Sequence, residues 1–157
     1  MSTFAQAHNI DAFIGAASAS DSVSLTAGGT GDNTQVNGLA IDRTTVLGSP
    51  LSASFIARYK ATLGQGNTLS LSATVQTADD SGFTTNVNTL ATFTKTVVDT
   101  GGTGGSVQRG VFRLPVDFAG AQQFVRVQFT PDLSAANTDT AELSLTAVLG
   151  GQDNLPA

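Results

Sequence analysis

The sequence predicts an all-β fold: a single β-sandwich or jelly-roll-like domain of about eight strands, preceded by a short N-terminal arm. Three observations predict it. Apolar residues recur at every second position in segment after segment, the period of a strand with one face buried. Clusters rich in Gly, Asp, Asn and Ser separate those segments, at intervals of roughly 12–20 residues. No long stretch after residue 20 carries the spacing of an amphipathic helix. A chain of 157 residues suits one domain and can bury a core without disulfide or metal. The expected divisions are an arm at 1–20, the β domain at 21–150 and a tail at 151–157.

The arm fits two periods. Ile10, Phe13, Ile14 and Ala17 share a helical face, whereas Ile10, Ala12, Ile14 and Ala16 alternate. It is expected to dock on the body or on a neighbour. "DSVSLTA" then aligns Val23, Leu25 and Ala27, and "TQVNGLAID" (34–42) is a less regular strand. The clearest strand is "LSASFIARYKATL": Leu51, Ala53, Phe55, Ala57, Tyr59, Ala61 and Leu63 face one way, with mainly polar residues between them. "NTLSLSATVQ" aligns Leu69, Leu71, Ala73 and Val75. "NVNTLATFTKTVV" is called a strand by its Thr and Val content. In "SVQRGVFRLPV", Gly110 suggests a bulge and Pro115 an edge or strand end. "DFAGAQQ" could form one helical turn capped by Asp117. "FVRVQF" aligns Val125, Val127 and Phe129, and "AELSLTAVL" aligns Ala141, Leu143, Leu145, Ala147 and Leu149. "AGGTGDN", "LGSP", "LGQGN", "TADDSG", "TGGTGG" and "TPDLSAANTD" read as turns.

Composition narrows the function. The absence of cysteine removes disulfides, thiolate catalysis and Cys-based zinc sites, and is compatible with folding in a reducing cytoplasm. The net charge is −5, and the seven cations (Arg43, Arg58, Lys60, Lys95, Arg109, Arg113 and Arg126) are scattered along the chain. No dense basic run points to nucleic acid. Charged residues make up only 12 %, so the surface is mostly neutral and polar, a kind often built for contact. No run of eighteen apolar residues marks a membrane span. The opening residues lack a basic stretch and carry Asp11 in their apolar part, which is not how a secretion signal is built.

The motif nearest to catalysis is "VVDTG" (97–101), which has the local form of an aspartic protease loop around Asp99. Such enzymes need two adjacent carboxylates sharing a proton. The second candidate is Asp80 in "DDSG", and "AVLGG" (147–151) has the form of the segment packed behind the catalytic loop in single-motif enzymes. Against this, Asp80 and Asp99 are too close in sequence to head two duplicated lobes, and Asp79 stands where an aliphatic residue is expected. The segment reads instead as a strand end and turn. "GGTG" at 28–31 and 101–104 lacks both a following helix and a Gly-Lys-Ser/Thr ending, so flexible hairpin loops are expected, not phosphate cradles. His8 stands alone and builds neither a zinc site nor a triad. Asp79 with Asp80, or Asp132 with Asp139, could offer calcium loop carboxylates, but no EF-hand spacing exists. Sugar sites often stack on Trp or Tyr; this chain has no Trp, and its one tyrosine, Tyr59, lies on an apolar strand face. No catalytic, cofactor-binding or metal residue is therefore assigned, and no enzyme activity is expected.

The segments "LTAGGTGDNTQVNGLAIDR", "YKATLGQGNTLSLSATVQTADD" and "VDFAGAQQFVRVQFTPDLSAANTDTAELSLTAVLGG" resemble small proteins encoded in the head-gene modules of tailed bacteriophages. The resemblance spans roughly residues 20–155 and is one of phrasing, with no catalytic signature and no functional residues to carry over. It implies a virion structural protein, a capsid decoration (cement) protein. Such a protein would sit on the outer surface of the head as a homotrimer bound to the major capsid protein, after assembly in the bacterial host cytoplasm. Neither nucleic acid nor membrane is expected as a partner. The alternatives are a tail tube or tip component, for which residues 86–116 would form a long hairpin, an aspartic protease, and a cell-surface or sugar-binding module. An arm at 1–20 would then cross-link neighbours, and its deletion would weaken particle association more than it unfolds the domain.

Overall fold

A computed structural model describes residues 13–46, 49–134 and 138–151. Ten strands run in order: β1 (Ile14–Ser18), β2 (Val23–Thr26), β3 (Val36–Asn37), β4 (Ile41–Asp42), β5 (Ser52–Leu63), β6 (Thr68–Ala78), β7 (Asn88–Thr100), β8 (Ser106–Asp117), β9 (Phe124–Leu133) and β10 (Thr140–Gly150). No helix occurs among the described residues. All strand pairs are antiparallel.

The first sheet orders β1-β10-β5-β8, with β2 also on β10; the second orders β3-β9-β6-β7, with β4 also on β9. β1 and β2 lie one after the other along β10, as β3 and β4 do along β9, so ten segments fill eight strand positions. The chain changes sheet at β2–β3, β4–β5, β5–β6, β7–β8, β8–β9 and β9–β10. This interleaving of two antiparallel sheets is a jelly roll, with open edges at the short pairs β1/β2 and β3/β4, at the bulged β7 and at the long β8.

The alternation expected for β5, β6, β9 and β10 is present in the burial. Phe55, Ala61, Val75, Val125, Val127, Ala147 and Leu149 are all fully buried between the sheets. Each larger side chain among them contributes roughly 1.5–3 kcal/mol by leaving water. Pro115 lies on β8, an edge strand, where a missing N–H costs no ladder bond on the open side.

Several expectations are corrected. Residues 14–18 of the expected arm form β1, and Ala19 and Ser20 behind them are buried. The break between β1 and β2 is stitched by Ser20, whose Oγ accepts from Leu145 N. Residues 1–12, with His8 and Asp11, and the tail at 152–157 lie outside the described residues. "TQVNGLAID" splits because the chain leaves β9 after Gly38, whose N–H still donates to Val127 O, while Leu39 N donates instead to Ala19 O. The turn expected at "TPDLSAANTD" starts later, since β9 runs on to Leu133. "DFAGAQQ" makes a tight turn closed by Ala121 N to Phe118 O, not a helical turn; Asp117 still caps it, accepting from Ala119 N. Gly110 is not a bulge, because β5 and β8 stay in register throughout. The bulges are on β7, at three register shifts against β6.

Neither GGTG loop is a hairpin. The first links β2 to β3 and the second β7 to β8, in each case from one sheet to the other. Asp32 holds the first, accepting from Gly28 N and Leu133 N. The second is tied to the β5–β6 crossing by Gly101 N to Asn67 O and Gly66 N to Gly101 O. A Cβ on Gly101 would fall 2.0 Å from Gly64 O, so the close crossing of the two loops requires glycine there. The long hairpin expected over residues 86–116 does not form either, since β7 pairs with β6 and β8 with β5.

Candidate functional site

Asp99 sits near the end of β7, beside the first bulge. The shift between Leu69 and Ser70 leaves Val98 unpaired and turns both Val98 and Asp99 partly inward. There the hydroxyl of Tyr59, on β5 of the opposite sheet, lies 2.9 Å from Asp99 Oδ2 and 3.1 Å from Val98 O. Asp99 Oδ1 accepts from Thr100 N. Tyr59 crosses to this edge because its β8 partner is Gly110: a Cβ there would lie 2.5 Å from the phenol oxygen. Burial, then the hydrogen bond and negative charge of Asp99, push the phenol up to about 12.

Asp80 lies at the other end of the β6–β7 hairpin. Asp99 pairs with Leu69 and Asn88 with Thr77, so the strand length alone separates the two carboxylates by about 30 Å. Asp80 organises its own loop. It accepts from the N–H groups of Gly82, Thr84 and Thr85 and from the Thr84 hydroxyl. Desolvation raises its pKa, but those hydrogen bonds outweigh it and the net direction is down. In the same loop Phe83 holds a left-handed φ of 54° under the Arg126 guanidinium, 4.1 Å from its ring centroid. The "AVLGG" segment pairs with residues 52–55 of β5, far from the Tyr59–Asp99 contact. The protease constellation is thus not assembled: its two aspartates are a loop clasp and a cross-sheet latch.

The calcium candidates are also engaged in structural bonds, except Oδ2 of Asp139, which is buried without a partner among the described residues. Asp79 accepts from Asn86 and Gln122 side chains. Asp132 forms an ion pair with Lys95 at 2.7 Å, and buried Asp139 accepts from Gly64 N. Among the described residues no three His, Cys, Asp or Glu side chains gather as a metal site. Tyr59, the one candidate sugar platform, is 9 % exposed. No helix among the described residues is long and apolar enough to cross a membrane.

The feature that sequence reasoning missed is a basic face. Arg58 and Lys60 of β5 and Arg109 and Arg113 of β8 all project from the outer side of the first sheet, and all four are exposed. Lys60 and Arg109 are direct register partners; Arg58 pairs with Val111 and Ile56 with Arg113. Four of the chain's seven cations therefore share two adjacent strands. Among the described residues none of the four forms an ion pair. The other three are engaged: Lys95 with Asp132, Arg126 with Phe83 and Gln76, and buried Arg43 with the carbonyls of Pro50, Ala121 and Gln122. Between Arg58, Lys60 and Arg109 runs a shallow hollow of about 580 Å³, rimmed also by Glu142 and Ser144 of β10. Val107 and Val111, 47 % and 58 % exposed, lie on the same side of β8. No signal in the sequence marks this face, because its two strands are about fifty residues apart and only their register joins them.

No protein-family model matches the chain, and no curated protein matches it in sequence. Solved structures resemble it at low identity. The infectious bursal disease virus VP2 subviral particle is 17 % identical, with a TM-score of 0.45 over 91 % of this chain and 34 % of that one. The structure of the Gx strain of the same virus is 17 % identical, with a TM-score of 0.46 over 90 % and 33 %. The Clostridium thermocellum xylanase 10B CBM22-1–GH10 modules, complexed with xylohexaose, are 11 % identical, with a TM-score of 0.40 over 93 % and 28 %. The chain spans about a third of the length of these structures. At such identities and TM-scores the likeness assigns no role to this chain, and a jelly roll serves shells and sugar binders alike.

Proposed function

We propose that this chain is a virion structural protein of the capsid decoration (cement) kind, bound as a homotrimer to the major capsid protein on the outside of a phage head. The observation that carries the reading is the eight-position jelly roll itself, β1/β2-β10-β5-β8 over β3/β4-β9-β6-β7, whose aspartates are spent on loops and latches. The phage-like phrasing of residues 20–155 supports the same role. A net charge of −5 suits a position outside the shell, away from packaged DNA. On a symmetric lattice, modest contacts made by many copies add up.

The tail alternative rested on a long β7–β8 hairpin, and those strands belong to different sheets. A sugar-binding role would need an exposed aromatic platform, and Tyr59 is turned inward. Co-sedimentation of the purified chain with expanded, undecorated heads tests the proposal. Saturable binding at a fixed ratio to the capsid protein is expected; failure to bind, or binding to isolated tails alone, refutes it.

A further inference from the structure

We propose that the outer face of β5 and β8 is a self-association surface, which takes the acidic end of a second copy of this chain. This deepens the homotrimer part of the proposed function by naming the surface and its chemistry. The face carries Arg58, Lys60, Arg109 and Arg113 against two acids: Glu142, which already accepts from the Ser22 hydroxyl, and Asp117 at the far end of β8, where the face meets the end of the sandwich. Lys60 stands directly opposite Arg109 on β8 and opposite Glu142 on β10, so Glu142 offsets only part of the like-charge cost at the β5–β8 edge. An anionic surface laid over the pair reverses that cost. Exposed Val107 and Val111 add apolar area beside the guanidinium groups, the mixture that interfaces favour.

The complementary charge lies on the chain itself. With these four cations removed, three remain against ten acids outside the face. Asp42, Asp79, Asp80 and Asp117 sit together at the end of the sandwich where β4, β6 and β8 finish. Hydrogen bonds from Gln122 to Asp79 and from Gln123 to Asp42 link the loops there. Two cations lie at this end: Arg43 is buried and turned onto Phe118, and Arg126 lies over Phe83 of the Asp80 loop. The two surfaces are different patches of one molecule, so their contact is head-to-tail, the kind that closes into a ring when the rotation permits. Charge pairing of this kind weakens with salt.

Sedimentation equilibrium of the purified chain is the test, with two charge-reversal pairs, R58E/R109E and D79K/D117K. All four positions are exposed, and unchanged circular dichroism and melting temperature check that both variants fold. The wild type is expected to self-associate at low salt and to dissociate as salt rises. Each variant alone is expected to weaken association by at least about tenfold, roughly 1.4 kcal/mol. An equimolar mixture regains association in pairs, because the reversed face of one meets the reversed end of the other, although a ring of three made from the two keeps one mismatched contact. A wild type that stays monomeric at low salt, a variant that assembles as well as the wild type, or a mixture that does not regain association overturns the proposal. So does a monomer that binds heparin or nucleic acid through this face. Head co-sedimentation separates the two claims: a monomer that still binds heads refutes this inference and leaves the decoration role standing.

Discussion

The phenol of Tyr59 reaches Asp99 Oδ2 at 2.9 Å, tying β5 of one sheet to β7 of the other where the sandwich edge is open. Tyr59 is the sole tyrosine and there is no tryptophan, so its ionisation can be followed by ultraviolet absorbance without interference. In the folded protein the phenol is expected to titrate near 12, and in urea near the ordinary value of 10. A folded pKa raised above the unfolded one gives stability that is complete below about pH 10 and lost as pH rises toward 12. Tyr59→Phe should abolish that alkaline loss and cost about 1 kcal/mol at neutral pH. Asp99→Asn keeps an acceptor but no charge, and should bring the phenol partway back down. A folded-state titration at the ordinary value would show that the latch does not form.

Gly110 leaves the gap through which Tyr59 passes. Gly110→Ala puts a methyl 2.5 Å from the phenol oxygen and should destabilise by about 1–3 kcal/mol in urea unfolding. The same change in a Tyr59→Ala background should cost much less than it does alone. Additive losses would mean that the two residues do not share the space.

Truncation separates the arm from the sheet. A chain starting at residue 13 keeps all ten strands and should melt close to the full chain. One starting at residue 21 loses β1 and buried Ala19 and Ser20 and should lose at least about 2 kcal/mol. The 1–20 deletion is therefore a poor probe of particle association, because it also injures the fold. Equal melting of both truncated chains would contradict the pairing of β1 with β10.

Arg43 joins two connections, β4–β5 and β8–β9, donating to the carbonyls of Pro50, Ala121 and Gln122 while lying over the Phe118 ring at 5.2 Å. Burial lowers its pKa. Arg43→Lys keeps the charge but not the planar fork, and should cost about 1–3 kcal/mol by thermal or urea denaturation. A neutral result would assign the loop closure to backbone bonds alone.

How far the sequence could be read depended on where each strand lies. β5 and β10 are flanked on both edges and buried on one face, so their period of two is unbroken from Ser52 to Leu63 and from Thr140 to Gly150. β7 is an edge strand with three bulges, and each inserted residue turns the following side chains to the other face. Its composition marks a strand, but no period in it reveals that Asp99 points toward Tyr59. β1 is short, and its residues fit a helix as well as a strand until β10 is present to pair with them. The basic face shows the same limit. Arg58 and Arg113 look scattered along the chain and meet only through the β5–β8 register. The Asp99 motif misleads for a local reason, since Asp-Thr-Gly also suits a strand that ends in a loop.

Cryo-electron microscopy of the virion encoded with this chain tests the central claim most directly. The account predicts density for a two-sheet jelly roll on the outer surface of the head, repeated about threefold positions and touching the major capsid protein. Density confined to the tail, or none in the particle, would contradict it.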